Sequence, residues 1–264
     1  MVMALSAGVS GQWPGAHGVV CHCTCYDRRG GVSSGVWSSL NVGRRLGDSD
    51  QAVDENRRRI RQSLGLETLV SAHQVHGTAV ACWENKGASD VEIADSDALM
   101  TDRPGAGLLI QQADCQAVLL FDPVQSAVAA VHCGWRGSVQ GIIGQVVAAM
   151  GSRYGSSPAD LLALISPSLG PCCAEFVNHH DELPEEFRHF QVADNNFDFW
   201  QISRSQLIAA GMNAQRVTVS GICTACSEEY FSYRRACRQG DGRTGRNCSV
   251  IALCRDPGAT PQAE

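Results

Sequence analysis

Three short segments carry side chains able to hold a soft or borderline metal ion. They are His73-Gln-Val-His76-Gly77, Ala113-Asp114-Cys115 and Val131-His132-Cys133-Gly-Trp-Arg136-Gly137. Two imidazoles and one thiolate, supplied by His76, His132 and Cys115, suit Zn²⁺. Three protein ligands leave a fourth position for water or substrate, the stoichiometry of a catalytic zinc. The same residues also read as hydrogen-bonded histidines and a core thiol, because no close spacing forces them together. His73 lies three residues before His76. In an extended segment the two would point to opposite faces, so His73 is the rival of His76 for one ligand position.

Each segment sits at or near the end of an expected strand, where sites are assembled from distant pieces of chain. Val19–Tyr26, Thr68–Ala72, Thr78–Trp83, Gly107–Ile110, Ala117–Phe121, Ala127–His132, Leu161–Ser166, Arg216–Ser220 and Ser249–Leu253 read as strands. Helices are predicted over Asp50–Leu64, capped by Ser49 or Asp50, over Gly137–Met150, and near Asp198–Ala210. The class is therefore α/β in the mixed α+β sense, with layered mixed β-sheets flanked by helices. No repeat or linker interrupts the chain. The expected organisation is a flexible end over 1–16, one catalytic domain over 17–255, and a flexible end over 256–264.

The chain has 264 residues, 44% hydrophobic and 18% charged, with thirteen cysteines and a formal charge of -6. That composition supports a full core and excludes a disordered chain. The acidic balance argues against a nucleic-acid partner but not against a small anion held by local arginines. No apolar run approaches a membrane span, and the first residues lack a signal-peptide pattern. The expected compartment is the cytoplasm, where cysteines stay reduced. Cys21, Cys23 and Cys25 then read as a core stripe, Cys172-Cys173 as a turn with buried thiols, and Cys223/Cys226 as too weak a spacing for a second zinc. His179-His180 reads as surface, and Asp181 to Glu186 as a solvated helix start. The even spread of apolar segments marks no dimer surface, leaving a monomer or weak homo-oligomer.

Across about residues 19–254 the sequence resembles the YfiH family, also called the laccase-domain or multicopper polyphenol oxidase-like family. The resemblance rests on ordered blocks: Arg28-Arg-Gly-Gly-Val-Ser-Ser-Gly35, Ser39-Leu-Asn41-Val-Gly43, Gly47-Asp48, Asn56-Arg57, Gln74-Val-His-Gly77 and Asp97-Ala-Leu-Met-Thr-Asp102. They continue with Ala113-Asp-Cys115, His132-Cys-Gly-Trp-Arg-Gly137, Gly170-Pro-Cys-Cys173, Cys223-Thr224, Phe231-Ser-Tyr-Arg-Arg235 and Thr244-Gly-Arg246. By position, the family's zinc ligands fall on His76, Cys115 and His132. Three departures stand out. Cys133 replaces a usual alanine, Ala117 replaces a usual proline, and Ala236–Gly242 is longer than usual. None removes a ligand, but Cys133 adds a thiol beside the metal.

The resemblance implies a purine nucleoside phosphorylase acting on adenosine, inosine and guanosine, with 5′-methylthioadenosine a further candidate, and with adenosine deaminase activity. Phosphorolysis passes through an oxocarbenium-like transition state and needs a phosphate cradle. Arginine is the natural bidentate partner. Arg28, before two glycines, is the first candidate, and Arg136 and Arg246 follow. Arg28 also reads as a solvated turn residue, and Arg136 as half of a structural ion pair. Asn41 either binds substrate or braces a turn. For deamination, a metal-activated water attacks the purine carbon that bears the amine, with Asp114 moving protons or capping the next segment. Three rivals stand beside this reading. A copper-dependent phenol oxidase needs paired histidine motifs, and eight histidines supply them poorly. A cysteine hydrolase in cell-wall editing would use Cys115 as nucleophile. A non-catalytic binding protein has no use for an open metal position.

Overall fold

The computed structural model describes residues 5, 7–16, 18–85 and 89–255. Two six-stranded mixed sheets form its centre. The first runs Ala7–Pro14, Val19–Tyr26, Asn247–Arg255, Ala106–Gln112, Thr68–Ala72, Val91–Ile93. The second runs Val217–Val219, Leu162–Ile165, Gln116–Asp122, Ala127–Cys133, Ala98–Thr101, Val80–Cys82. The expected mixed architecture is thus present.

Alternation along single strands explains the layering. In Gln116–Asp122, the side chains of Ala117, Leu119 and Phe121 join Cys21, Cys23, Cys25, Leu108, Ile110 and Ile251 between the two sheets. Val118 and Leu120 of the same strand face the other way, toward Ile142, Ile143, Val146 and Met150 of the helical layer. On the outer face of the first sheet, Leu109 and Val250 pack with Ile60 of the helix Asp50–Ser63. The order is helix, sheet, sheet, helix. A strand buried on both faces must be a near-continuous apolar run, which is why these strands were legible.

The helix Asp50–Ser63 starts at Ser49, whose side chain accepts the Ala52 N–H. Phe199–Ala209 is capped in the same way by Asp198. The single helix expected over Gly137–Met150 is two, Trp135–Val139 and Ile142–Tyr154. Gly141 lies between them at φ 72°, in the left-handed region that ends helices.

The expected flexible end over 1–16 is corrected in part. Ala7–Pro14 is an antiparallel strand on Val19–Tyr26, and Trp13 stacks on Phe121 with ring centroids 6.2 Å apart. Residues 1–4, 6 and 256–264 of the two expected ends lie outside the described residues. His179 is not a surface residue: it is buried, 5.1 Å from the Phe197 ring. Among the described residues no helix is long and apolar enough to cross a membrane.

Candidate functional site

The strand ends bring the three metal-ligand candidates to one place. His73–Gly77 leaves the end of Thr68–Ala72 in the first sheet. Ala113-Asp114-Cys115 is the short crossing from Ala106–Gln112 in the first sheet to Gln116–Asp122 in the second. Asp114 takes φ 89° there, which lets the chain turn sharply between layers. Gln116 pairs with Cys133 and Ala117 with His132, so Cys115 meets the end of Ala127–Cys133.

The donor atoms of His76, Cys115 and His132 all lie within 4.8 Å of one another. Cys115 Sγ is 3.9 Å from His76 Nε2, and the two imidazoles meet edge to face at 4.8 Å between centroids. Gly134 completes the cradle. A Cβ there would stand 3.1 Å from His76 Cδ2 and 3.2 Å from Cys115 Sγ, so only glycine leaves the donors their space.

Asp97 organises the trio. It is fully buried, and its Oδ1 lies 2.7 Å from His132 Nδ1. The same carboxylate accepts the backbone N–H of His76 at 2.9 Å and of Gly77 at 2.7 Å. His76 sits at φ 61°, and these bonds hold that unusual backbone. With Nδ1 committed to Asp97, His132 presents Nε2 to a ligand position, the arrangement that fixes a metal-binding imidazole.

The charges are shifted together. Burial works to raise the Cys115 thiol, but the charge of His132 and hydrogen bonds from both histidines outweigh it, and the thiol falls to about 6. Burial works to lower His132, but Cys115 and Asp97 raise it to about 9. Without metal, both shifts run toward a thiolate–imidazolium pair. Cys133, by contrast, points its thiol to Ser138 Oγ at 3.2 Å, and burial raises it to about 11. Adjacent strand residues face opposite sides, which keeps Cys133 out of the trio.

Two clefts meet at Cys115 and Tyr233. One, of about 480 Å³, is lined by Trp135, Phe176, Phe199, Leu169, Asp114 and Glu175 among others. The other, of about 370 Å³, is lined by Arg44, Arg246, His73, Gln74, His76 and His132 among others. The first is aromatic and the second polar and basic.

The remaining candidates are placed as follows. Arg246 lines the basic cleft. Asn41 is fully buried and lines neither of these clefts; its Oδ1 accepts the N–H of Gly43 at 2.9 Å and of Arg246 at 2.8 Å. It braces a turn and sets Arg246. Arg28, expected as the first phosphate partner, lines neither cleft, because its Nε donates to the Ser38 carbonyl at 2.6 Å and its guanidinium covers the Phe231 ring. Arg136 lies over Trp135 at 4.8 Å and also lines neither. Asp114 accepts the Thr224 hydroxyl at 2.7 Å and the Arg234 N–H at 2.6 Å. One oxygen thus holds the Thr224 turn and the other the first turn of the helix Tyr233–Gln239, rather than the segment that follows Asp114. His73 pairs with Asp95 at 2.9 Å on the cleft wall. Asp97, Arg44 and Tyr233 went unrecognised as site residues. Asp97 and Tyr233 stood in quoted motif blocks, and only the fold shows what they face.

Cys172, Cys173, Cys223 and Cys226 form a second donor group, their sulfurs also within 4.8 Å of one another. The expected turn is present at Cys172-Cys173, with Cys173 buried but Cys172 exposed, and the fold sets this turn beside Cys223 and Cys226.

Comparison with known proteins places the chain among relatives. The profile of a family described as multi-copper polyphenol oxidoreductase laccase matches residues 22–254. The purine nucleoside phosphorylase YlmD of Geobacillus stearothermophilus is 34% identical, over 85% of this chain and 87% of its own. The purine nucleoside phosphorylase ORF3 of Streptomyces griseus is 35% identical, over 88% of this chain and 94% of its own. The crystal structure of YlmD from Geobacillus stearothermophilus superposes with a TM-score of 0.80 at 30% identity, covering 95% of this chain and 98% of that one.

Proposed function

Because the chain belongs to the multi-copper polyphenol oxidoreductase laccase family and has relatives named purine nucleoside phosphorylase, we propose that it is a zinc-dependent enzyme of this kind. It takes adenosine, inosine or guanosine with phosphate to the free base and ribose 1-phosphate, and deaminates adenosine in the same site. The observation that carries the reading is the position of His76, Cys115 and His132 at the junction of an aromatic cleft and a basic one.

The donor set fits zinc: two imidazoles, one thiol already held low, a carboxylate behind one imidazole, and the space left by Gly134. When bound, the ion supplies Lewis-acid polarisation of a substrate oxygen or nitrogen. The chain's own residues do the rest. Phe176, Phe199 and Trp135 offer flat apolar surface for a purine. Arg246, with Arg44 beside it, offers cations to phosphate in the other cleft. Ribose then spans the junction. The C1′–N9 bond breaks, a C1′–O bond to hydrogen phosphate forms, and the purine leaves with the bond pair and takes up the proton that the hydrogen phosphate releases.

Copper is the alternative ion for a thiolate–imidazole set. A multi-copper oxidase is poorly supported. Among the described residues the grouped donors form two clusters, and the second is all cysteine. A cysteine hydrolase is the second reading, favoured by the thiolate–imidazolium pair of Cys115 and His132. Its activity would survive chelation and be lost to alkylation of Cys115. The test is inosine, guanosine and adenosine incubated with and without phosphate. Ribose 1-phosphate formed only with phosphate supports the phosphorylase; free ribose, or no reaction with any of the three, overturns it.

A further inference from the structure

We propose that Cys172, Cys173, Cys223 and Cys226 form a second metal site, a closed tetrathiolate that takes one zinc ion and clamps the loops behind Asp114. Each pair sits in a tight turn: Cys172 and Cys173 after Gly170-Pro171, Cys223 and Cys226 around Thr224-Ala225. Backbone bonds hold the turns together, with Ser168 N–H donating to Ile222 O at 3.1 Å and Thr224 N–H to Ser168 O at 2.9 Å. Gly170 permits the approach. A Cβ there would be 3.0 Å from Cys223 Cβ and 2.8 Å from the Trp200 ring.

The sulfur geometry suits an ion that uses all four donors. Cys226 Sγ is 3.5 Å from both Cys172 Sγ and Cys173 Sγ. Four thiolates at about 2.3 Å from a tetrahedral zinc stand about 3.8 Å apart. Equal distances from Cys226 to both neighbours favour no single disulfide pair, whereas one ion engages all four sulfurs. Four cysteines without histidine or an open position are the ligand set of a structural zinc.

The location gives the ion a consequence. Thr224, between the second pair, donates its hydroxyl to Asp114, and Leu169, just before the first pair, donates its N–H to the Asp114 carbonyl at 2.8 Å. Arg235 fastens the same turn through the carbonyls of Thr224, Ala225 and Ser227. The clamp therefore fixes the residue next to Cys115 and the Leu169 wall of the aromatic cleft. It is a positioning site, independent of the identity of the reaction.

The test uses the full chain, purified with reductant from zinc-supplemented cells, as wild type, Cys172→Ser/Cys226→Ser and His76→Ala/His132→Ala. Metal is counted by plasma mass spectrometry, and each protein is reconstituted with Co²⁺ for absorption spectra. Two zinc ions per wild-type chain and one in each double variant are expected. Cobalt in His76→Ala/His132→Ala should give the intense thiolate-to-cobalt charge transfer of a four-sulfur tetrahedral site. If Cys172→Ser/Cys226→Ser does not fold, the histidine variant still reads the site. One zinc in wild type with none in His76→Ala/His132→Ala overturns the proposal. So does a disulfide among the four cysteines in protein kept reduced during preparation.

Discussion

Asp97 Oδ1 stands 2.7 Å from His132 Nδ1, while the same carboxylate receives the N–H groups of His76 and Gly77. One buried acid thus fixes the tautomer of one imidazole and the backbone of the other. Asp97→Asn keeps the shape but removes the charge and weakens the acceptor. Metal affinity should fall about 10–100-fold, read by competition with a chromophoric chelator. An unchanged affinity would separate Asp97 from metal binding.

Gly134 leaves room that any side chain would fill. Gly134→Ala puts a carbon 3.1–3.2 Å from His76 and Cys115, so the ligands must move. The expected result is loss of metal from the trio with thermal stability reduced by no more than about 1–3 kcal/mol. Metal content and melting curves of the purified variant check both parts.

Reactivity of Cys115 toward iodoacetamide in metal-free protein should report the thiolate. A thiol held at about 6 is deprotonated above that pH, so alkylation rises through about pH 6 and is flat by neutrality. An ordinary thiol rises in the range of about 8–9. Asp97→Asn removes a support of the His132 cation and should push the rise to higher pH. Zinc should suppress labelling at every pH. Mass spectrometry of the peptide that contains Cys115 gives the rates.

Arg246 is the expected phosphate contact. Arg246→Met should raise KM for phosphate on the order of tenfold to a hundredfold, with KM for the nucleoside little changed. Asn41→Ala acts through the same residue, because Asn41 Oδ1 holds the Arg246 N–H. It should raise KM for phosphate and also destabilise the chain, since it strips the buried acceptor from two N–H groups. Arg28→Met should leave KM for phosphate alone. A rise there equal to that of Arg246→Met would move the anion site to the Asp27–Gly31 turn.

The strands of both sheet cores and the capped helices were legible because a strand buried on both faces is an unbroken apolar run and a cap is a local pattern. His76, Cys115 and His132 were legible as chemistry, and the family resemblance singled them out. Asp97 was not, since an aspartate at the head of a strand looks the same whether it faces solvent or, as here, a histidine on the neighbouring strand. The break at Gly141 was hidden because apolar spacing continues across it. The cysteines of the second cluster come from two turns far apart in sequence, so neither pair alone carried a metal signal. Arg28 was favoured by its glycines, but its turn is tied to Ser38 and Phe231, away from both clefts.

The most direct test of the account is phosphorolysis of inosine by zinc-loaded wild type beside the His76→Ala/Cys115→Ala/His132→Ala variant, with ribose 1-phosphate as the product measured. The account predicts product from the wild type in proportion to the zinc in the trio, and none above background from the variant. Full phosphorolysis by the folded variant would contradict it.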